Sequence, residues 1–322
     1  MDEKQLHWAD EKEVIKSNKS VLLLWWLFKH IPKFLVRILV YPVSLFYLIS
    51  SKRARTETVL YQKKVKSFSN GLSPSKISSY KQIVSFSLCV LEKIEGWIGK
   101  IKFDEIAFQD DDVRTLVDEL NHKKGAVIIS SHLGNMELLR SLSSSGETGV
   151  SRFVPVTAIM SKKATANFNR TLMQINPNAE LNLIDPSEIT PESIEIMTNT
   201  IENGGLVVLA GDRVSSQSRD RIIEKSFLGE TAHFPYGVFL IAALINAPIY
   251  FMYGIREKAT VFSSKQKLSV EKADIDFNCP KKEREQRIDL LCEKYVKNLE
   301  RHCVLYPYQW YNFFNFWLKD VR

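Results

Sequence analysis

Apolar residues along this chain fall into short runs separated by charged or glycine-rich turns, and the length and period of each run predict its element. Apolar runs of four to eight residues, rich in β-branched side chains and bounded by turn residues, read as buried strands. Gly125–Ser130, Phe153–Met160, Glu180–Ile184, Leu206–Ala210 and Pro248–Ile255 fit that description, and Ile101–Ile106 alternates as an earlier strand would. Longer stretches with mixed apolar periodicity read as helices: Arg53–Lys66, Ile77–Gly99, Asp110–Asn121, Ala164–Gln174, Thr190–Asn203, Tyr236–Asn246 and Lys281–Tyr306. Thr190 or Ser187 supplies the N-cap of the fifth of these. The segment Phe227–Gly237 reads as an aromatic, glycine-punctuated loop. Alternation of strand and helix predicts an α/β fold with a mostly parallel central sheet flanked by helices.

The N-terminal region departs from this pattern. Val21–Phe28 is apolar, Lys29–Lys33 interrupts, and Phe34–Ile49 is apolar again except at Arg37 and Ser44. The longest charge-free run, Ile38–Ser51, holds 14 residues. At about 1.5 Å per residue it reaches roughly 21 Å, short of the ~30 Å hydrocarbon core of a bilayer. We read Val21–Ser50 as two short helices lying in or dipping into a bilayer surface, with Lys33, Arg37 and Tyr41 forming one polar stripe. A transmembrane helix and a helical hairpin buried in the globular domain are the alternative arrangements. The predicted organisation is a membrane-associated helical segment over 1–70 and an α/β domain over 71–322.

Charge sharpens that reading. The 322-residue chain has a net charge of +7, and the stretch Trp25–Asn70, with nine basic residues and Glu57 alone acidic, carries +8 of it. The basic excess therefore sits beside the most apolar part of the chain. Trp25 and Trp26 are interface-type aromatics, and Lys33, Arg37, Lys52, Arg53 and Arg55 are expected to meet anionic headgroups. No nucleic-acid motif accompanies these residues, so nucleic acid is not an expected partner. Met1–Ser20 is charged, mixed in sign and without a cleavage-site pattern, and the four cysteines are widely spaced. Both features lead to the expectation of a reducing, cytoplasmic-side protein.

Candidate chemistry lies at Ile129–Glu137, where His132 follows a strand and Glu137 opens the next helix. A histidine takes a proton near neutral pH, and a carboxylate fixes its tautomer and stabilises its charged form. His132 is the predicted general base and Glu137 its partner. Gly134 and Asn135 suit a tight turn that lifts the histidine clear of the sheet, while Gly229, Pro235 and Gly237 shape a loop whose amides approach substrate or serve plain turn chemistry. A second strand ends in Asp212 and Arg213, a turn able to bind the acceptor or donor phosphate, or to form an ion pair that closes the strand. In parallel sheets ligands collect at the carboxyl ends of strands, where His132 and Asp212 both fall. Gly-x-Ser-x-Gly and phosphate-loop patterns do not occur in the sequence, which argues against a serine acyl-enzyme and against nucleotide hydrolysis.

The ordered set Ser131-His132-Leu133-Gly134-Asn135-Met136-Glu137, Gly211-Asp212-Arg213, Phe227-Leu228-Gly229 and Phe234-Pro235-Tyr236-Gly237 resembles the bacterial lipid-biosynthesis acyltransferases, the lysophospholipid acyltransferase superfamily that includes the lipid A late acyltransferases. The likeness runs from about Trp8 to the aromatic C-terminus and is closest to the branch associated with aryl-polyene-type lipids. Lipid A enzymes usually carry a double-Phe-Gly loop, a threonine in place of Phe234 and a basic C-terminal cluster; here Trp310–Asn315 has no arginine, which points away from a lipid A acceptor.

The resemblance implies acyl transfer from acyl carrier protein or coenzyme A thioesters to a hydroxyl or amine of a lipid acceptor. It implies work at the cytoplasmic face of the bacterial inner membrane, with no cofactor or metal beyond the acyl thioester co-substrate. Arg213, Asp212, Asn135, Gly134, Gly229, Phe234 and Gly237 are then the expected substrate contacts. Tyr306–Trp317, with eight aromatics in twelve residues, lines an acyl channel, sits at headgroup level or packs the core. A lipid hydrolase or thioesterase using the same histidine, and a non-catalytic membrane-binding accessory protein, are the competing functions.

Overall fold

The computed structural model describes residues 26, 30–73, 76–97, 106–107, 111–136, 138, 149–160, 182–214 and 221–317. Its centre is a seven-stranded sheet built from β1 (Ile106–Ala107), β2 (Ala126–Ser130), β3 (Val156–Ile159), β4 (Asn182–Ile184), β5 (Leu206–Ala210), β8 (Ile249–Ala259) and β9 (Ser264–Lys272), in the order β1-β9-β8-β2-β5-β3-β4. Every pairing is parallel except that between β8 and β9. The α/β expectation with a mostly parallel sheet therefore holds.

The central strands are apolar throughout because both sheet faces are covered. All five residues of β2 are buried. Val127 and Ile129 face one core, shared with α5 (Pro191–Glu202), α6 (Tyr236–Ile245) and α7 (Lys281–Leu305). Ala126 and Ile128 face a second core against Val113, Leu116 and Leu120 of α4 (Asp111–Asn121). Pro191 opens α5, where its missing N–H costs nothing, and the Ser193 hydroxyl accepts the Thr190 backbone N–H at 3.2 Å.

Two elements differ from their sequence expectation. Phe227–Gly237 is no open loop: β6 (Ile222–Phe227) and β7 (Glu230–Pro235) form an antiparallel hairpin, and Tyr236 already begins α6. Its two turn residues, Leu228 at φ 52° and Gly229 at φ 85°, are both left-handed, the geometry that matches strand twist in a two-residue hairpin. Strand β9 was not foreseen. It buries Ser264 and Gln266 in the same alternation as Leu268 and Val270, so half of its inward face is polar and its period is hidden. The expected helix Ala164–Gln174 lies outside the described residues.

Before the sheet come α1 (Lys33–Ser50), α2 (Lys52–Phe68) and α3 (Ser79–Trp97). Helix α1 begins directly after Pro32, where the second of the two expected short helices was placed; the first, within Val21–Phe28, lies outside the described residues except at Trp26. Helix α1 packs on α3 through a small cluster of Val36, Val40, Leu88, Leu91 and Ile94. Tyr61 and Val65 of α2 belong to the main core. The expected boundary at residue 70 thus does not separate two cores.

Candidate active site

The site grows from the register of two adjacent parallel strands. Ser130 at the end of β2 pairs with Ala210 at the end of β5. His132 and Asp212, each two residues beyond, consequently meet. His132 Nδ1 lies 2.8 Å from Asp212 Oδ1, and the His132 backbone N–H donates to Asp212 Oδ2 at 2.8 Å. The Trp310 indole N–H donates to the same Oδ2 at 3.0 Å. Asp212 is fully buried, whereas the His132 side chain keeps 30% of its exposure.

Electrostatics follow from this arrangement. Burial alone would raise the Asp212 carboxyl, but His132, its ring hydrogen bond and Arg213 outweigh burial and hold it below the ordinary carboxylate range. Desolvation and the nearby Arg213 cation lower the His132 pKa from 6.5, against the opposing pull of Asp212. The pair is then a neutral imidazole beside an ionised carboxylate. With Nδ1–H donated to Asp212, the lone pair sits on Nε2, available to take a proton.

The turn carrying His132 is fixed at almost every backbone group. The His132 carbonyl accepts from Tyr311 N at 2.8 Å, Gly134 N donates to the Gln309 carbonyl at 2.8 Å, and Asn135 N donates to the Gly254 carbonyl at 2.7 Å. Gly134 and Gly254 allow this close approach. A Cβ on Gly134, whose φ is +71°, would lie 2.0 Å from the Gly254 carbonyl oxygen, and one on Gly254 would lie 2.2 Å from that of Asn135. Gln309 completes the clamp by exchanging side-chain hydrogen bonds with the Arg256 backbone, at 2.9 Å to its N–H and 2.8 Å to its carbonyl.

The expected site residues fare differently. Glu137 lies outside the described residues; the carboxylate brought to His132 Nδ1 is Asp212. Both Asp212 oxygens accept hydrogen bonds within the protein, from His132 and Trp310. Arg213 is half-buried with its guanidinium carbon 5.9 Å from the Phe314 ring centroid, and its charge reaches His132. Gly134 and buried Asn135 belong to the turn that carries His132. Phe234 is fully buried and packs edge-on against Phe227, Tyr295 and Phe316 in the main core. Gly229 serves the hairpin turn, and Gly237 has open space around its α-carbon in the first turn of α6. Within the aromatic C-terminus, Trp310, Tyr311 and Phe316 are buried, and Trp310 packs edge-on against Phe227 and Phe316.

The membrane-binding set also divides. Trp25 lies outside the described residues, and Trp26 is 50% exposed and stacked on His30. Lys33 is partly exposed, and Lys52 and Arg53 are exposed in the first turn of α2. Arg37 is a correction: it is buried, its guanidinium paired with Glu95 at 3.0 Å and donating to the Thr260 carbonyl at 3.2 Å. Arg55 is another, since its guanidinium caps the end of α1 at the Leu48 carbonyl and, at 2.6 Å, the Ile49 carbonyl. Of the expected polar stripe, Arg37 turns inward while Lys33 is partly exposed and Tyr41 exposed; Ser44 is also buried, its hydroxyl donating to Ser87 at 3.0 Å. Apolar side chains face out instead: Val43 is 60%, Phe46 73% and Ile49 68% exposed. Helix α1 thus has one face packed on α3 and one exposed, while the first arm of the alternative hairpin, Val21–Phe28, lies outside the described residues except at Trp26.

Sequence reasoning missed Trp310 as a donor to the Asp212 carboxylate and Gly254 as the seat of the turn that carries His132. The first had no local signal. The second had a weak one, a glycine inside a strand, which often marks close backbone approach. No protein-family model matches the chain, and no curated protein matches it.

Proposed function

We propose that this chain is an acyltransferase that moves a fatty acyl group from an acyl carrier protein or coenzyme A thioester to a hydroxyl or amine of a membrane-associated lipid. The observation that carries the proposal is the His132–Asp212 contact, a neutral base held by a buried carboxylate at the carboxyl ends of β2 and β5. The resemblance to the lipid-biosynthesis acyltransferases supports the same reading.

In this scheme Nε2 of His132 takes the acceptor proton as the acceptor oxygen or nitrogen attacks the thioester carbonyl. The tetrahedral intermediate collapses, the carbon–sulfur bond breaks, and the leaving thiolate receives the proton from the imidazolium. Asp212 stabilises that imidazolium and holds the ring, and Trp310 with the His132 amide holds Asp212. Arg213 serves a phosphate of the acceptor or of the phosphopantetheine arm. The outward apolar face of α1, with Lys52 and Arg53 at its end, supports a bilayer surface as the working place, at the cytoplasmic face of the inner membrane. Contacts from Arg37 to Ser44 tie α1 sideways to α3, which favours a helix lying along the surface over one crossing it.

The test supplies acyl carrier protein and coenzyme A thioesters together with vesicles of a bacterial lipid extract, and follows thiol and acyl products by mass spectrometry. Acylated lipid should form in step with thiol and fall about 10²-fold or more in His132→Ala. Free fatty acid as the sole acyl product would replace the proposal with thioester hydrolysis.

A further inference from the structure

Strands β8 and β9 extend beyond the sheet as an antiparallel hairpin whose tip runs through Thr260, Val261, Phe262 and Ser263. The tip is internally ordered: Thr260 N donates to the Ser263 carbonyl at 2.8 Å, and Ser263 N to the Thr260 hydroxyl at 3.0 Å. Phe262 nevertheless points out of it, 74% exposed. A large apolar side chain held rigidly in water is a cost without a folded-state return.

The position of this tip gives it meaning. The Phe262 ring lies 5.9 Å from the Phe34 ring at the start of α1, and Arg37 of α1 donates to the Thr260 carbonyl at 3.2 Å. The tip is therefore joined to α1, and Phe262 continues its outward apolar face. Within α1 the charged residue after Lys33 is Arg37, and it is turned inward to Glu95. The outer face from Phe34 to Ile49 carries no charge. Basic residues flank this surface: Lys33 and Lys52 at the two ends of α1, and the exposed Lys258 and Lys265 opposite one another in the hairpin, with Glu257 as the acidic member 3.4 Å from Lys265. A rigid apolar surface with a net basic rim fits the boundary between acyl chains and anionic headgroups.

We propose that the β8–β9 hairpin tip is a second lipid-contacting element, which inserts Phe262 into an anionic bilayer beside α1. The inference rests on the membrane reading of α1 and adds a second anchor to it. Two attachment points fix the tilt of the protein on the surface. Arg256 at the base of the hairpin is bonded through Gln309 to the turn that carries His132, so that tilt is passed to the catalytic turn.

The test uses full-length protein and sedimentation with phosphatidylglycerol–phosphatidylcholine vesicles. Phe262→Asp should weaken partitioning about tenfold, equivalent to roughly 1.4 kcal/mol. Phe46→Asp, on the outer face of α1 and away from the tip, serves as the comparison. In a second measurement, an environment-sensitive fluorophore on Phe262→Cys in a Cys279→Ser background should shift to the blue on adding vesicles; the other three cysteines are buried. Weakening by Phe262→Asp together with the blue shift establishes the anchor. Release by Phe46→Asp with no effect at Phe262 and no blue shift overturns the hairpin proposal and leaves the α1 reading intact. No effect from either variant overturns both. Loss of self-association by Phe262→Asp without vesicles, with no blue shift on adding them, would mean that a second copy of this chain covers the tip.

Discussion

The turn that carries His132 and the N-terminal helix break the ordinary rule of burial in opposite directions. Around His132 a charged carboxylate, Asp212, is fully buried, and hydrogen bonds from an imidazole, an amide and an indole reach it. Along α1 a row of large apolar side chains is exposed, while the arginine of the same helix is buried against Glu95. Each inversion costs folding free energy, and each is supported by neighbours that hold it in place. Such inversions mark the places where a chain gives up stability for something else. In one region we propose that it is proton transfer; in the other, a surface for lipid.

Four substitutions probe that contrast, beginning with the largest effect. Asp212→Asn keeps the shape of the site and removes its negative charge. Turnover should fall about 10³-fold or more, as when an orienting aspartate is neutralised in a hydrolase triad. Asp212 raises the His132 pKa, so its loss should also move the acid limb of the residual pH–rate profile to lower pH. An unchanged limb would mean that the two groups are not coupled.

Arg37→Met keeps the stem that packs in α1 but leaves the Glu95 carboxylate buried without its cation. Thermal unfolding should show a loss of about 3–5 kcal/mol, most of it recovered in the Arg37→Met, Glu95→Gln double variant. A neutral single variant would mean that the inward arginine does not hold α1 against α3.

Gly254→Ala places a methyl against the Asn135 carbonyl and must displace the catalytic turn. Transfer should fall about 10²-fold, the usual consequence of a misplaced base, with a stability cost of about 1–3 kcal/mol. Wild-type turnover in a folded Gly254→Ala protein would show that the clamp is dispensable. The smallest effect is expected from Trp310→Phe, which keeps the aromatic packing and removes one donor to Asp212. A loss of roughly tenfold in turnover, about 1.4 kcal/mol, is in line with one hydrogen bond to a charged group. A loss as large as that of Asp212→Asn would assign Trp310 a larger part.

Much of this was legible in the sequence, and the parts that were not have physical reasons. The parallel strands showed themselves because both of their faces are buried, which makes Ala126–Ser130 and Leu206–Ala210 nearly continuous apolar runs. His132 stood out through the strand, turn and glycine around it. Its partner was harder to find. The expectation named Glu137, which is near in sequence and lies outside the described residues; the contact with Asp212 was not foreseen because it depends on β2 and β5 being neighbours in register, a fact of topology. The same limit hid Trp310 and Gly254, which approach the site from far along the chain. On α1, composition revealed an apolar helix with a polar stripe but not which side faced the protein. That depended on Glu95, 58 residues beyond Arg37. Strand β9 escaped because its buried face includes a serine and a glutamine.

The central claim is that His132 rests as a neutral base with Nδ1–H toward Asp212 and a lone pair on Nε2. Nitrogen-15 NMR of the histidine rings, with His132 assigned by comparison with His132→Ala, measures this directly as a function of pH. The account predicts an Nδ1–H tautomer at neutral pH and a titration below 6.5, because desolvation and Arg213 together outweigh Asp212. An Nε2–H tautomer, or a pKa at or above 6.5, would contradict it.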